Sequence, residues 1–166
     1  DFAQFRMRNY KESRNFPNLD KGTSVLSPYL ALGVISARTC FVRAKTENHG
    51  KLLTGNEGIC VWISELCWRD FYRHILNHFP RVARGKPFKV ESDQVEWRYP
   101  KVDEQARIDF DRWCRGFTGF PIVDAAMRQL NSTGWMHNRL RMIVSAFLTK
   151  DLLIDWRYGE KYFMQH

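Results

Sequence analysis

Trp62, Glu65 and Arg69 stand at i, i+3 and i+7, which puts them on one face of a helix, with Trp68 beside that face. A carboxylate between indole rings, one turn from a guanidinium, has two chemical uses. It can be protonated and donate a hydrogen bond, or stay ionised and accept one from the edge of a base. The plain alternative is a surface ion pair, Glu65–Arg69 at i, i+4, with the two Trp rings anchoring a core. Spacing alone leaves both open. A second group, Asn138, Arg139, Arg141 and Met142, follows Trp135-Met136-His137 at the start of a helical pattern. Asn and Arg make bidentate contacts with base edges, Arg also binds phosphate, and Met adapts to what it touches. The alternative is a basic helix end with a core Met. A third group, Thr23-Ser24 with Ser27 ahead of a helix, offers hydroxyls and backbone N–H groups to an anion such as a phosphate. An ordinary N-cap accounts for it equally well.

Other chemistries find no support. His49, His74, His78, His137 and His166 form no ligand or triad pattern, and neither a P-loop nor a G-x-G-x-x-G is present. Cys40, Cys60, Cys67 and Cys114 include no C-x-x-C pair, and no His lies at zinc-finger spacing. Cys60 and Cys67 share a helical stripe, so free, buried thiols in a reducing compartment are expected. Of the six Trp residues, spacing alone marks most as core anchors.

The elements that must position these residues are helical. Ser27-Pro28 reads as a cap followed by Pro at N1, and Ser36 as the cap of a second helix that stops at Gly50. Gly58 to His78 is the strongest element: Ile59, Trp62, Ile63, Leu66, Phe71, Ile75 and Leu76 mostly recur at i, i+3, i+4, and Pro80 ends the run. Arg73 to Val90 contains no acidic residue and carries Arg73, Arg81, Arg84, Lys86 and Lys89 among Pro80, Gly85 and Pro87. It reads as an exposed basic loop. A short helix is expected at Ile108 to Arg115, stopped by Gly116, and another at Ile122 to Leu130, opened by Pro121 and broken by Asn131 to Gly134. Leu140, Ile143, Val144, Phe147 and Leu148 form a buried stripe, and Asp155 caps a last helix running into Phe163. No useful period-2 segment exists. The expected fold is all-α.

At 166 residues and 19.7 kDa, the chain has one domain's worth of protein, or is a piece of a larger one, and can bury a core without disulfides or metals. It opens at Asp1 without an initiator Met and shows no secretory signal, as expected of a fragment or a processed chain. A hydrophobic fraction of 44% and an aromatic fraction of 14% exclude a disordered tail. No apolar stretch is long enough to span a bilayer. The net charge of +8 and pI near 9.5 favour polyanionic partners, nucleic acid before an anionic membrane surface.

Longer runs are more specific than spacing. Gly119-Phe120-Pro121-Ile122-Val123-Asp124-Ala125-Ala126-Met127-Arg128-Gln129-Leu130, then Gly134-Trp135-Met136-His137-Asn138-Arg139-Leu140-Arg141-Met142, strongly resemble the photolyase/cryptochrome family. Val61 to Tyr72 resembles its substrate-facing helix, and Gly22 to Leu30 its flavin-phosphate loop. The likeness runs from about Tyr10 to the C-terminus and is greatest to the bacterial class I branch, whose members split cyclobutane pyrimidine dimers.

The resemblance implies a helical domain that binds FAD and takes a dimer flipped out of UV-damaged DNA, the base-flipping strategy of such enzymes. It implies that Tyr10, Thr23, Ser24, Val25, Leu26, Ser27, Trp62 and Arg69 contact FAD. Arg14, Glu65, Trp68, Arg69, Tyr72, Asn138, Arg139 and Met142 would contact DNA: Glu65 hydrogen-bonding the dimer, Trp68 packing on it, and Asn138, Arg139 and Met142 completing the pocket. Trp97 would be the exposed outer member, and Trp156 the middle member, of a Trp relay that reduces the flavin. Val25 stands where many relatives carry a basic residue. The whole chain, 1–166, is thus expected to be a partial FAD-binding and DNA-binding domain. The α/β domain that carries a folate or deazaflavin antenna, and the segment that completes the flavin site, would lie outside it. The implied activity is that of a carbon–carbon lyase in DNA repair, cytoplasmic and monomeric, with the 166 residues alone inactive. A cryptochrome photoreceptor that binds FAD without repair is the other implied function.

Overall fold

A computed structural model describes all residues, 1–166, and divides the chain into two compact units, Asp1–Ala83 and Arg84–His166. Both are helical. The only ladder pairing is an isolated parallel bridge, Arg98 to Ile154, so the all-α expectation holds. No helix is long and apolar enough to cross a membrane.

The first unit opens with a π-helical turn, Phe2–Arg6, and a 3-10 turn, Met7–Asn9, leading into α1 (Tyr10–Ser13). There follow α2 (Ser27–Ala31), α3 (Ala37–Glu47), α4 (Glu57–His78) and α5 (Pro80–Ala83). Ser36 caps α3 as expected, its side chain accepting from the Thr39 N–H at 3.0 Å. Ser27 does not cap α2: Leu26 holds the cap position and no side chain closes the first turn. Asn56 caps α4 by accepting from the Ile59 N–H. Met7, Cys40, Ala44, Ile59, Trp62, Ile63 and Leu66 form the core. Gly58 is dictated by contact, because a Cβ there would collide with the Arg8 carbonyl.

Burial on α4 stops at Leu66. Phe71 and Leu76, expected in its buried stripe, are 47% and 45% exposed, because the core of this unit extends no further along the helix. All four cysteines are free, as expected, but the expected burial holds only for Cys40: Cys60 is half-buried, and Cys67, past the end of the core, is exposed. The basic stretch is only partly a loop. Its first residues are the last turns of α4, which ends at His78 as expected, and Pro80 then opens the short helix α5, since a first turn needs no N–H from Pro.

The second unit contains a 3-10 turn, Val90–Gln94, then α6 (Glu104–Arg115), α7 (Pro121–Thr133) and α8 (Asn138–Ala146). A π-helical turn, Phe147–Asp151, and α9 (Trp156–Gln165) complete it. Asp103 caps α6, and Gly116, at φ 68°, ends it in the left-handed conformation that glycine adopts without steric cost. α7 runs three residues past its expected end, to Thr133, with Gly134 as its cap. Trp113 is fully buried and donates from Nε1 to the Val144 carbonyl at 2.9 Å. Leu140, Val144, Phe147 and Leu148 are buried as the stripe predicts, and Ile143 is half-buried at its edge. Asp124 fastens the turn before α7, accepting from the Thr118 N–H (2.7 Å), the Thr118 hydroxyl (2.6 Å) and the Gly119 N–H (3.1 Å). Burial pushes its carboxyl up, but these bonds and Arg128 outweigh it and hold the group below the usual carboxylate range.

Candidate functional site

In the first unit, α1 packs along α4 and delivers Arg14 to Glu65, with Nη1 to Oε1 at 2.5 Å. About a third of each side chain is open to water (29% and 33%). Arg14 also lies over the Tyr10 ring at 5.7 Å. Burial pushes the Tyr10 hydroxyl pKa up, Glu65 adds to the rise and Arg14 opposes it. The Glu65–Arg69 pair does not form. Arg69 turns to α2 instead, donating to the Leu30 carbonyl at 3.3 Å and meeting Asp70 at 3.2 Å. Trp62 and Trp68 part company: Trp62 is 5% exposed with the Phe2 ring at 5.8 Å, whereas Trp68 is 51% exposed. Trp68 stacks on Tyr72 at 6.0 Å and meets the edge of Phe71 at 5.4 Å. Phe71, read from the sequence as core, therefore belongs to an open three-ring cluster one turn from Glu65. Such a surface suits base stacking.

The loop before α2 is tied from below, Ser13 Oγ donating to the Gly22 carbonyl at 2.8 Å and Arg6 to the Lys21 carbonyl at 2.7 Å. Above those ties, the hydroxyls of Thr23, Ser24 and Ser27 make no hydrogen bond within the chain, nor do the N–H groups of Thr23, Ser24, Val25 and Leu26. Val25 holds φ at 53°, a strained angle for a β-branched residue. Unpartnered donors on a fixed loop suit a phosphate-bearing ligand.

In the second unit, Asn138, Arg139 and Met142 open α8 and are exposed, and Arg139 Nη1 lies 3.9 Å from the Met142 sulfur. His137, buried to 4%, caps the helix by accepting at Nδ1 from the Arg139 N–H at 3.1 Å. Sequence spacing gave His137 no role, although its position just ahead of the helix was the available signal. Arg141 leaves this group: its guanidinium lies over Phe163 at 5.3 Å, and burial lowers its pKa.

Trp97 and Trp156 are both half-buried, so Trp97 is less open than an exposed outer member. Trp97 precedes the Arg98–Ile154 bridge by one residue and Trp156 follows it by two, which keeps their Cα atoms within roughly 16 Å. Asp155 caps α9, accepting from the Arg157 N–H at 3.0 Å, and the Arg157 guanidinium lies over the Trp156 ring at 4.9 Å.

The chain as a whole resembles known proteins. Residues 62–166 match the family described as the FAD binding domain of DNA photolyase. A deoxyribodipyrimidine photo-lyase from Neurospora crassa is 54% identical over 166 residues, covering 99% of this chain and 26% of that protein. A class III photolyase from Agrobacterium tumefaciens superposes with a TM-score of 0.86 at 44% identity, over 98% of this chain and 32% of its own. A cryptochrome from Synechocystis superposes at 0.81 with 37% identity, over 95% and 31%. The chain thus spans about a third or less of the proteins it matches. With more than half its length inside the family match, and most of α4 and all of α6 to α9 within it, this chain belongs to the family of the FAD-binding domain of DNA photolyase.

Proposed function

We propose that residues 1–166 act in light-dependent DNA repair, as part of the helical domain with which a photolyase holds FAD and splits cyclobutane pyrimidine dimers flipped out of DNA. The observation that carries this reading is Glu65: a carboxylate held by Arg14 at 2.5 Å, one turn from the open cluster of Trp68, Phe71 and Tyr72. The photolyase names of the relatives support it. In this reading Trp68 and Tyr72 stack on the flipped bases and Glu65 accepts a hydrogen bond from them. Arg14 and Arg69 contact bases and phosphates, and in the second unit Asn138 and Arg139 offer the same chemistry to DNA, with Met142 an adaptable surface beside them.

The residues present fit FAD at its phosphate end, where the loop 23–27 offers unpartnered hydroxyls and N–H groups. Arg69 donates to the Leu30 carbonyl in the helix that follows this loop, and Tyr10 and Leu26 pack against the core that holds buried Trp62. Bound FAD supplies the light-driven electron that opens the cyclobutane ring. Trp97 and Trp156 are one-electron donors that restore reducing power from the solvent side. The partner is UV-damaged DNA, met by a cytoplasmic monomer. The test is an absorption spectrum of the purified protein carrying this chain, then illumination with dimer-containing DNA. Flavin bands with light-dependent loss of dimers support the proposal. A photoreceptor role is the second reading, favoured by the likeness to the solved cryptochrome, and flavin bands without repair would point to it.

A further inference from the structure

Trp97 makes no hydrogen bond or ring contact of its own, so its place is set by its neighbour. Arg98 is fastened at every polar group. Its N–H donates to the Leu153 carbonyl at 2.8 Å, and its carbonyl accepts from the Asp155 N–H at 3.4 Å. Its guanidinium divides three ways: Nε to Asp103 Oδ2 at 3.0 Å, Nη2 to Asp109 Oδ2 at 3.0 Å and Nη1 to the Leu152 carbonyl at 3.1 Å. Each partner anchors something else. Asp103 caps α6, Asp109 accepts from Gln105 within α6, and Asp155, 3% exposed, caps α9 one residue before Trp156. Leu153, whose carbonyl receives the Arg98 N–H, holds φ at 53°, a conformation that persists only where its surroundings enforce it. A bridge of one residue pair has little stability of its own. The planar fork of Arg98, matched to two carboxylates and a carbonyl, supplies what the bridge lacks.

We propose that Arg98 is a positioning residue for electron transfer between Trp97 and Trp156, locking the segment that carries Trp97 against the cap of the helix that carries Trp156. This rests on the reading of those two residues as relay members. In the step concerned, Trp97 gives one electron to Trp156 already oxidised by one electron. Trp156 is restored, and Trp97 releases its indole proton to water. A thiol reductant in solution returns the electron, and water the proton.

The experiment uses the FAD-loaded protein carrying this chain, with Arg98→Met, Arg98→Lys and Trp97→Phe variants. Flash absorption follows the Trp radical, steady illumination with thiol follows flavin reduction, and amide hydrogen exchange is measured without flavin. Arg98→Met is expected to slow flavin photoreduction by roughly tenfold or more, the scale on which misplacement by an ångström acts. It should also expose the Asp155 amide to exchange. Repair by chemically reduced flavin should persist, and guanidinium ion should partly restore photoreduction. Arg98→Lys should fall between, since a point charge cannot occupy all three acceptors. Wild-type photoreduction in Arg98→Met, with Trp97→Phe blocked, would overturn the role of Arg98 and leave the relay standing. Normal photoreduction in Trp97→Phe would overturn the relay and this proposal with it. Loss of repair with chemically reduced flavin in Arg98→Met would make Arg98 a general structural residue and overturn its positioning role. Should Arg98→Met not fold, Asp109→Asn, which removes one of the three guanidinium partners, must slow photoreduction, and a wild-type rate there overturns the proposal.

Discussion

Replacing Glu65 by Ala separates two roles that differ in magnitude. As one half of an ion pair with Arg14, Glu65 contributes little. At a charge separation near 4 Å the gross attraction is about 4 kcal/mol for an effective dielectric constant near 20. A third of each side chain is in water, and pairs exposed to this degree retain about 0.2–1 kcal/mol. Glu65→Ala and Arg14→Ala should therefore each cost about 1 kcal/mol of stability or less. As the acceptor for a flipped base in a dry pocket, Glu65 is worth about 1.5–3 kcal/mol. That corresponds to roughly 10- to 150-fold in the ratio of affinities for dimer-containing and undamaged DNA. The assay is fluorescence-anisotropy titration of both DNAs in the dark at fixed salt, beside urea unfolding of the same proteins. Glu65→Ala should lose the affinity ratio, and Glu65→Gln, which keeps an acceptor oxygen, should lose less. Arg14→Ala should weaken both DNAs alike and lower the salt slope by roughly 0.9. An unchanged affinity ratio in Glu65→Ala, with stability reduced, would return Glu65 to the ion pair alone.

Two further perturbations test how the site is supported. Asp124→Asn should destabilise the second unit by about 1.5–3 kcal/mol at neutral pH. Because the folded carboxyl titrates below its unfolded value near 4, its contribution is present above that pH and is lost as the pH falls through the folded value. Thermal melts should therefore separate the variant from the parent at pH 7 and bring them together in acid; an equal gap at both would refute the assignment. Val25→Gly should relieve the left-handed strain and raise stability by about 1 kcal/mol, and a lowered melting temperature would show that the Val25 side chain holds the loop by packing.

Local signals were legible where the partner was close in sequence. The caps at Ser36 and Asp155, the stop at Gly116 and the buried stripe of α8 all follow from spacings of a turn or less. The periodicity of α4 told which side chains share a face but not where the packing partner ends, so Phe71 passed for core when it belongs to an open ring cluster. Arg14 and Glu65 lie 51 positions apart, beyond any helical period, and the nearer Arg69 supplied a plausible but wrong partner. Arg98 was invisible for the same reason: its acceptors lie on α6 and ahead of α9, and only the fold gathers them. Arg141 shares its helix turn with Arg139, and only tertiary packing against Phe163 separates their roles.

Repair itself is measured by the dark-to-light difference in dimer content. The protein carrying this chain is loaded with FAD, reduced chemically and mixed with an oligonucleotide holding one thymine dimer. It is then divided between darkness and near-ultraviolet or blue light, and intact thymines are counted by chromatography. Restored thymines are expected in the illuminated arm only, with the yield cut by Glu65→Ala and retained in Trp97→Phe. Flavin bound and reduced, dimer DNA bound, and no thymines restored in the light would contradict it.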